Sequence, residues 1–550
     1  MQIPKTKSKL KILIILPRLI PTIRIDYNYT FPIGLAYISS IIKKIGYNVD
    51  CINLNHFEGT VEEILKKVFE KNTYDVVCTG HTGLGYPVTK EIVEATRKYS
   101  PNSKVILGGC LITSEPEVAM TSLKPDFGVR GEGEITILEL LECIGQNKSP
   151  EKIRGIAYLD KNEKLIITEN REYLKDIDSL PYPDFEGFEF EKHLDYMYPN
   201  QWYYNNQFDY PRTYPILCSR GCPFQCTFCY HSIGKKYRER SIKSVIEELE
   251  WATKKYRINV ICIYDDMFSF KKERLFEFCD KIKELVNKTP WDIKWTCQLA
   301  VSCVDEKTLR KMKDSGCDIV SYGFESYSSK VLQSMKKPIT PKQIDFAFKT
   351  TLKEGMSVQG NFIFGDIAET KETSEETLKY WKENCLGQLG LSFVQPYAGS
   401  EIYKYCIEKG IIKDRIKFMA EDILQEVFFN ITDEMTDDEI HELYKTLMHL
   451  RHKYSRIVVP SYVKKMGKGH LDKRYEIHIK CPFCKQKIKY KNFYLQEKMI
   501  YKSYIICRNC NLRFFVYSPL LRILNSSPLF FIFVEEKYQN FKRKLKTLTN

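Results

Sequence analysis

The sequence predicts an α/β chain: a doubly wound parallel sheet of Rossmann or flavodoxin type, then a partial TIM-type (β/α)6 barrel, then a small four-cysteine ribbon. Three observations carry that prediction. Alternating strand and helix patterns fill residues 1–145 and again residues 206–410. Four cysteines crowd into "LCSRGCPFQCTFCY" near the start of the second run. Two CxxC pairs, "CPFC" and "CRNC", bound a short strand-like stretch at 475–515.

Taken in order, "KILIIL", "NVDCINL", "YDVVCTG", "KVILGG" and "DFGVRGEGE" read as buried strands that end in Gly or polar residues. Amphipathic segments lie between them. In "TVEEILKKVF" the apolar residues Val61, Ile64, Leu65, Val68 and Phe69 share one face, and Thr60 with Glu63 makes a capping box. A sheet so wound binds ligands at the carboxyl ends of its strands. Residues 146–205 hold a hairpin, "GIAYLDKNEKLIITENREY", and a Pro-rich linker, "DSLPYPDFEGF". The strands "YPILCS", "VICIYDD", "IKWTCQL", "IVSYGFES", "VQGNFIFGD" and "LSFVQPYAGS" then build the barrel over 206–410. A charged helical extension over 411–474 precedes the ribbon, and an apolar, then basic tail fills 516–550.

Composition narrows the class. The 550 residues hold three or four domains of ordinary size, and 43% hydrophobic with 28% charged content is that of a soluble globular protein. The start lacks a secretory cleavage site, and Pro519, Arg522, Asn525 and Pro528 break the late apolar run, so neither export nor a membrane span is expected. An interfacial helix backed by Lys542, Arg543, Lys544 and Lys546 is the remaining peripheral membrane contact. Nineteen cysteines without an export signal place the chain in a reducing cytoplasm and point to metal or catalytic use. Residues 451–550 carry 23 Lys+Arg against 5 Asp+Glu, which suits an anionic partner such as nucleic acid, a phosphorylated substrate or an acidic membrane, or else a solvated lysine-rich surface.

Cys222, Cys226 and Cys229 form C-x3-C-x2-C. Three thiolates on a [4Fe–4S] cube leave one iron open, and that iron can take the amine and carboxylate of S-adenosylmethionine. An electron into the sulfonium then cleaves a C–S bond and yields a 5′-deoxyadenosyl radical. With Cys218 counted, the run also suits a four-ligand electron-transfer cluster or a zinc site. Its place in a loop at a strand end, where a barrel builds its active site, favours the three-ligand reading.

"SRGCPFQCTFCY" closely resembles the radical S-adenosylmethionine superfamily, in particular the subgroup with an N-terminal cobalamin-binding domain. The resemblance spans residues 30–410. It implies that Cys222, Cys226 and Cys229 ligate the cluster, that Phe228 packs near the adenine and that Cys218 is a bystander. "IYDDMFS" would place Asp265 and Asp266 at the methionine ammonium, and "YGFES" would place Glu325, with Ser326, at the hydroxyls or amine of S-adenosylmethionine. "YRERS", "FIFGDIAET" and "PYAGSEIY" continue the likeness; Ala300, Ser302 and Ile367 depart from it, at positions that bear on how substrate or cofactor is held. In the first domain, "FPIGLAYISSIIKKIGYNV", "GHTG", "LGGC" and "VRGEGE" resemble the cobalamin module, with Gly80, His81, Gly83, Gly108 and Gly109 cradling the corrin. His56 and Gly59 mimic its D-x-H-x-x-G motif, but Leu54 holds the acidic position and the run follows the second strand, so no His cobalt ligand is expected. Such an enzyme also needs a reducing donor such as flavodoxin or ferredoxin.

Cys481, Cys484, Cys507 and Cys510 form C-x2-C-x22-C-x2-C, the spacing of a closed structural Zn(Cys)4 ribbon. The function expected from the whole is radical methylation of an unactivated carbon, or phosphorus, of a small or anionic substrate. Cobalamin-associated ring closure or oxidation without methyl transfer is the alternative. An RNA methylthiotransferase needs a cysteine just after the first strand, where "LPRLIPTIRI" has none, although Cys78 and Cys110 lie nearby. A non-enzymatic zinc-ribbon nucleic-acid binder does not account for three intact cluster cysteines.

Overall fold

A computed structural model describes residues 10–19, 23, 25, 29–81, 85–200, 208–231, 233–424, 429–466, 473–495 and 499–524. The first sheet is built on β1 (Lys11–Leu16), flanked by β2 (Asn48–Asn53) and β3 (Val76–His81). It continues through β4 (Lys104–Gly109), β5 (Phe127–Val129), β6 (Ile156–Leu159) and β7 (Leu165–Ile167). The order β2-β1-β3-β4-β5 is parallel and doubly wound. Both faces of β1 are covered: Ile12, Ile14 and Leu16 join one core, and Leu13 and Ile15 another, as a continuous apolar strand requires. The Thr60–Glu63 capping box forms at the start of the helix Val61–Lys71.

The expected hairpin and the stretch read as a linker both belong to the body of the protein. The hairpin β6–β7 pairs antiparallel with β5 (Gly128 opposite Ala157), so it extends the first sheet rather than standing apart from it. The Pro-rich segment drives Phe185 and Phe188 into the main core, where they meet Phe31, Phe190 and Tyr214. Full burial of each ring stabilises by about 1.5–3 kcal/mol. Asp184 in the same segment accepts from Ser39 Oγ and Lys43 Nζ, both at 2.6 Å.

The barrel opens with β8 (Thr213–Ile216) and a short antiparallel pair, β9 (Ser219–Arg220) and β10 (Arg238–Glu239). Its parallel staves are β8, β11 (Val260–Ile263), β12 (Lys294–Gln298), β13 (Cys317–Ser321) and β14 (Ser357–Gln359), in that spatial order. The predicted fifth strand breaks at Gly360, where an added Cβ would lie 2.7 Å from Tyr322 O and 2.9 Å from the Phe324 ring. The chain resumes as β15 (Asn361–Phe364), parallel to β16 (Gly390–Phe393), and a bridge between Glu325 and Phe362 joins the two sheets.

The ribbon starts earlier than its cysteines. After the helix Asp437–Tyr454 come β17 (Ile457–Val458) and β18 (Tyr462–Lys465), then β19 (Arg474–Lys480), β20 (Lys487–Tyr494), β21 (Lys502–Ile506) and β22 (Arg513–Tyr517). β18 pairs with β19 and β17 with β22, so the end of the predicted helical extension is ribbon sheet. Most of its contacts with the barrel fall just before strands, and Met197 meets it from the preceding segment. Gln388 exchanges two hydrogen bonds with the Arg513 backbone, at 3.0 and 2.8 Å. Asn511 donates to Gly355 O, Lys491 N–H to Asp209, and Asn492 to Met197 O. The ribbon therefore covers the N-terminal end of the barrel. No helix among the described residues is long and apolar enough to cross a membrane, and Lys542, Arg543, Lys544 and Lys546 lie outside the described residues.

Candidate active site

The cysteine loop leaves the C-terminal end of β8, the end opposite the ribbon. Gly221 turns it with φ +79°, at a point where a Cβ would strike the Lys236 carbonyl. Thr227 then ties the loop down: its N–H donates to Met335 O at 3.1 Å and its carbonyl accepts from Ile402 N–H at 3.0 Å. Cys222, Cys226 and Cys229 converge closely enough for their charges to interact. Cys229 reaches solvent as a residue, yet the protein packed around its thiol, with Asp266, Cys226 and Cys222, pushes it up to about 12. Burial also raises Cys222 and Cys226, so the thiols hold protons that a metal must displace. Cys218 is fully buried in the main core, away from this mouth.

The polar residues expected here divide into two groups. Asp265 is buried and turned back on the loop, accepting from Cys218 N–H and Ser219 Oγ, each at 2.7 Å. Asp266, the next residue, is the one in the field of Cys222, Cys229 and His231. Ser326 is also engaged internally, with Thr377 Oγ1 at 3.2 Å and Ser328 N–H at 3.1 Å. Glu325 sits at the mouth with φ +59°, its backbone bonded to Asn361 and Ile363 and its carboxylate 2.8 Å from Lys337 Nζ. Phe228 is half-buried, with the Lys337 ammonium 6.0 Å from its ring centre.

The mouth faces the first domain. The Tyr230 ring, just beyond Cys229, fills the space that a Cβ on Gly399 would need, beside Ser114, and it interacts with Cys110 and Arg130 at the ends of β4 and β5. Arg220 and Arg238 of the β9–β10 pair reach Glu132 and Glu134 of the "RGEGE" run. Sequence reasoning missed this clasp and Lys337; the opposed charges of "SRGC" and "RGEGE" were the available signal for the clasp, and Lys337 had none.

At the first sheet's strand ends, Gly80 and Gly109 allow close approach of β3 and β4: a Cβ on Gly80 would lie 2.9 Å from Gly108 O, and one on Gly109 would lie 2.5 Å from His81 O. Gly108 instead is open at its Cα: an added Cβ would meet nothing nearer than Thr79 O, at 4.0 Å. The His81 ring folds over Gly85, and its buried Nδ1 has no hydrogen-bond partner among the described residues. A bare glycine face beside an orphaned imidazole nitrogen fits a ligand laid across the strand ends. Gly83 lies outside the described residues. His56 is core: its Nε2 meets Tyr29 Oη at 3.0 Å and its Nδ1 meets Glu189 at 3.1 Å, so both ring nitrogens are already engaged.

Residues 216–380 match the radical SAM superfamily, and residues 25–141 match the B12 binding domain. The uncharacterized methyltransferase PH0819 of Pyrococcus horikoshii is 30% identical over 411 residues, which are 73% of this chain and 84% of that one. The chain belongs to the B12-binding radical SAM family. Cytidylyl-2-hydroxyethylphosphonate methyltransferase of Streptomyces wedmorensis is 24% identical, over 80% of this chain and 89% of its own. The anaerobic magnesium-protoporphyrin IX monomethyl ester cyclase of Rubrivivax gelatinosus is 27% identical, over 70% of this chain and 68% of its own. Among solved structures, the radical SAM methyltransferase TsrM of Kitasatospora setae, with cobalamin and a [4Fe–4S] cluster bound, shares the fold. It aligns with a TM-score of 0.59 at 15% identity, covering 72% of this chain and 75% of that one.

For a radical SAM barrel the fit of the loop is direct, since three thiols and no fourth suit a cube with one open iron. The ribbon of this family member solves the opposite problem. Its four sulfurs lie within 4.8 Å of one another, with Cys481–Cys510 at 3.8 Å and Cys484–Cys507 at 3.7 Å. Zn–S bonds of about 2.3 Å give a tetrahedron with edges of roughly 3.8 Å, so the four thiols fit zinc with no position left open. Each knuckle turns on a residue in the left-handed region, Lys485 at φ 65° and Asn511 at φ 57°.

Proposed function

We propose that the chain is a cobalamin-dependent radical S-adenosylmethionine methyltransferase acting on an unactivated carbon, or a phosphorus, of a small or anionic substrate. The observation that carries this reading is the three-thiol mouth opening, through Tyr230, onto the strand ends of the first domain. A bound cluster supplies one-electron cleavage of S-adenosylmethionine, and a bound corrin supplies methyl carriage. In this reading Cys222, Cys226 and Cys229 hold the cluster, Phe228 lies against the adenine, and Asp266 and Glu325 meet polar groups of the same ligand. Asp265 and Ser326 keep the loops in place for them. Gly80, His81, Gly83, Gly108 and Gly109 border the corrin, and Cys481, Cys484, Cys507 and Cys510 hold zinc.

The working units are residues 1–145 with their hairpin, the barrel over 206–410, and the ribbon. Nineteen free thiols suit a reducing cytoplasm, and the electron would come from a flavodoxin or ferredoxin. Anaerobic reconstitution with iron, sulfide and hydroxocobalamin, followed by iron and corrin counts, tests the assignment. Absence of bound corrin sinks the methyltransferase reading, and a Cys222→Ala chain with a full cluster sinks the ligand set. The cyclases among the relatives favour a second reading, ring closure without methyl transfer. Transfer of label from methyl-labelled S-adenosylmethionine to product separates the two.

A further inference from the structure

Lys337 follows the short helix Ser329–Ser334, where Lys336 turns the chain with φ 52° and Lys337 N–H closes onto Leu332 O at 2.8 Å. The same turn supplies the Met335 carbonyl that holds Thr227 of the cysteine loop, so loop and lysine are fixed to one another. The ammonium is held 2.8 Å from Glu325, and both side chains are nearly buried, at 15% and 11% exposure. Gly323 makes room for the pair, since a Cβ there would collide with both Glu325 Oε1 and Lys337 Nζ.

The Lys337 ammonium lies 6.0 Å from the ring centre of Phe228, the residue between Cys226 and Cys229 in the loop. Lys337 offsets charge on Cys222, Cys226 and Cys229, whereas Glu325 is among the leading interactions of Cys226 alone and is weaker there than Lys337. A nearly buried cation beside three thiolates favours whichever cluster state carries more negative charge, and that is the reduced one.

We propose that Lys337, oriented by Glu325, is a positioning residue that sets the reduction potential of the cluster held by Cys222, Cys226 and Cys229. The inference rests on the cluster assignment above. Its test is an anaerobic redox titration followed by electron paramagnetic resonance, with iron and sulfide counted in every sample. Lys337→Met should keep the wild-type iron content and titrate at a more negative potential. Lys337→Arg should stay near wild type, and Glu325→Gln, which leaves the ammonium unopposed, should shift the other way. A Lys337→Met chain that titrates with wild type, or a Lys337→Arg chain displaced as far as Lys337→Met, overturns the proposal. Loss of iron in Lys337→Met but not in Lys337→Arg supports the charge role; loss in both overturns it. A wild-type chain that takes up no iron overturns the cluster assignment itself and the proposal with it, before any variant is compared.

Discussion

Arg220 Nη2 lies 2.6 Å from Glu134 Oε1, and its Nη1 lies 3.1 Å from Glu132 Oε1, with all three side chains buried. Burial works to raise the Glu134 carboxyl, but Arg220 holds it below the usual range. The two motifs thus form the joint between the domains, and Arg238 adds a second cation on Glu132 at 2.8 Å. Removing Glu134 leaves two buried guanidiniums, Arg220 and Arg238, sharing the single carboxylate of Glu132, so Glu134→Gln should cost about 3–5 kcal/mol in urea denaturation. The double variant Arg220→Met/Glu134→Gln should recover part of that loss. Equal losses in the single and double variants would count against the pair.

Asp265 gives a pH signature. Burial pushes its carboxyl to about 7, against an ordinary value of 3.8, despite the hydrogen bonds from Ser219 and Cys218. The folded state therefore binds the proton more tightly than the unfolded chain does. That stability is fully present below pH ~4, is lost as the pH rises toward 7, and is absent above it, with a ceiling on the order of 4 kcal/mol. Asp265→Asn should match wild type near pH 4–5 and gain on it by pH 8 in denaturant titrations of the metal-free chain. A difference that does not change with pH rejects the assignment.

The ribbon should behave as a zinc-dependent unit. Cys507→Ser should lose one zinc per chain by elemental analysis and, since structural zinc contributes on the order of 10 kcal/mol, should unfold the ribbon and lower Tm. Reconstituted iron should be unchanged, because the loop thiols sit at the other end of the barrel. Loss of iron together with zinc would contradict that separation.

Two glycines make a controlled comparison. Gly360→Ala drives a methyl against Tyr322 O and the Phe324 ring and should destabilise by about 1–3 kcal/mol. Gly34→Ala, in the helix Ile33–Ile45 with nothing within 4 Å of the new Cβ, should gain about 0.5–1 kcal/mol. Thermal denaturation reads both signs.

What could be read in advance was local. The apolar run of β1, the Thr60–Glu63 box and the two CxxC knuckles each depend on residues a few positions apart. The three loop cysteines were legible for the same reason. Asp265 and Asp266 were not separable in the sequence, because neighbours at a strand end point opposite ways and only the packed structure shows which meets the thiols. The burial of Phe185, the pairing of the hairpin with β5, the Arg220 clasp and the place of Lys337 all depend on segments brought together from afar. No short pattern records those meetings.

The ribbon's place under the barrel has a consequence for biosynthesis. Translation produces the loop thiols about 250 residues before Cys481, so a nascent chain presents its two thiol sets in succession. Through that interval the loop set is present without the ribbon set, and the barrel waits for its floor.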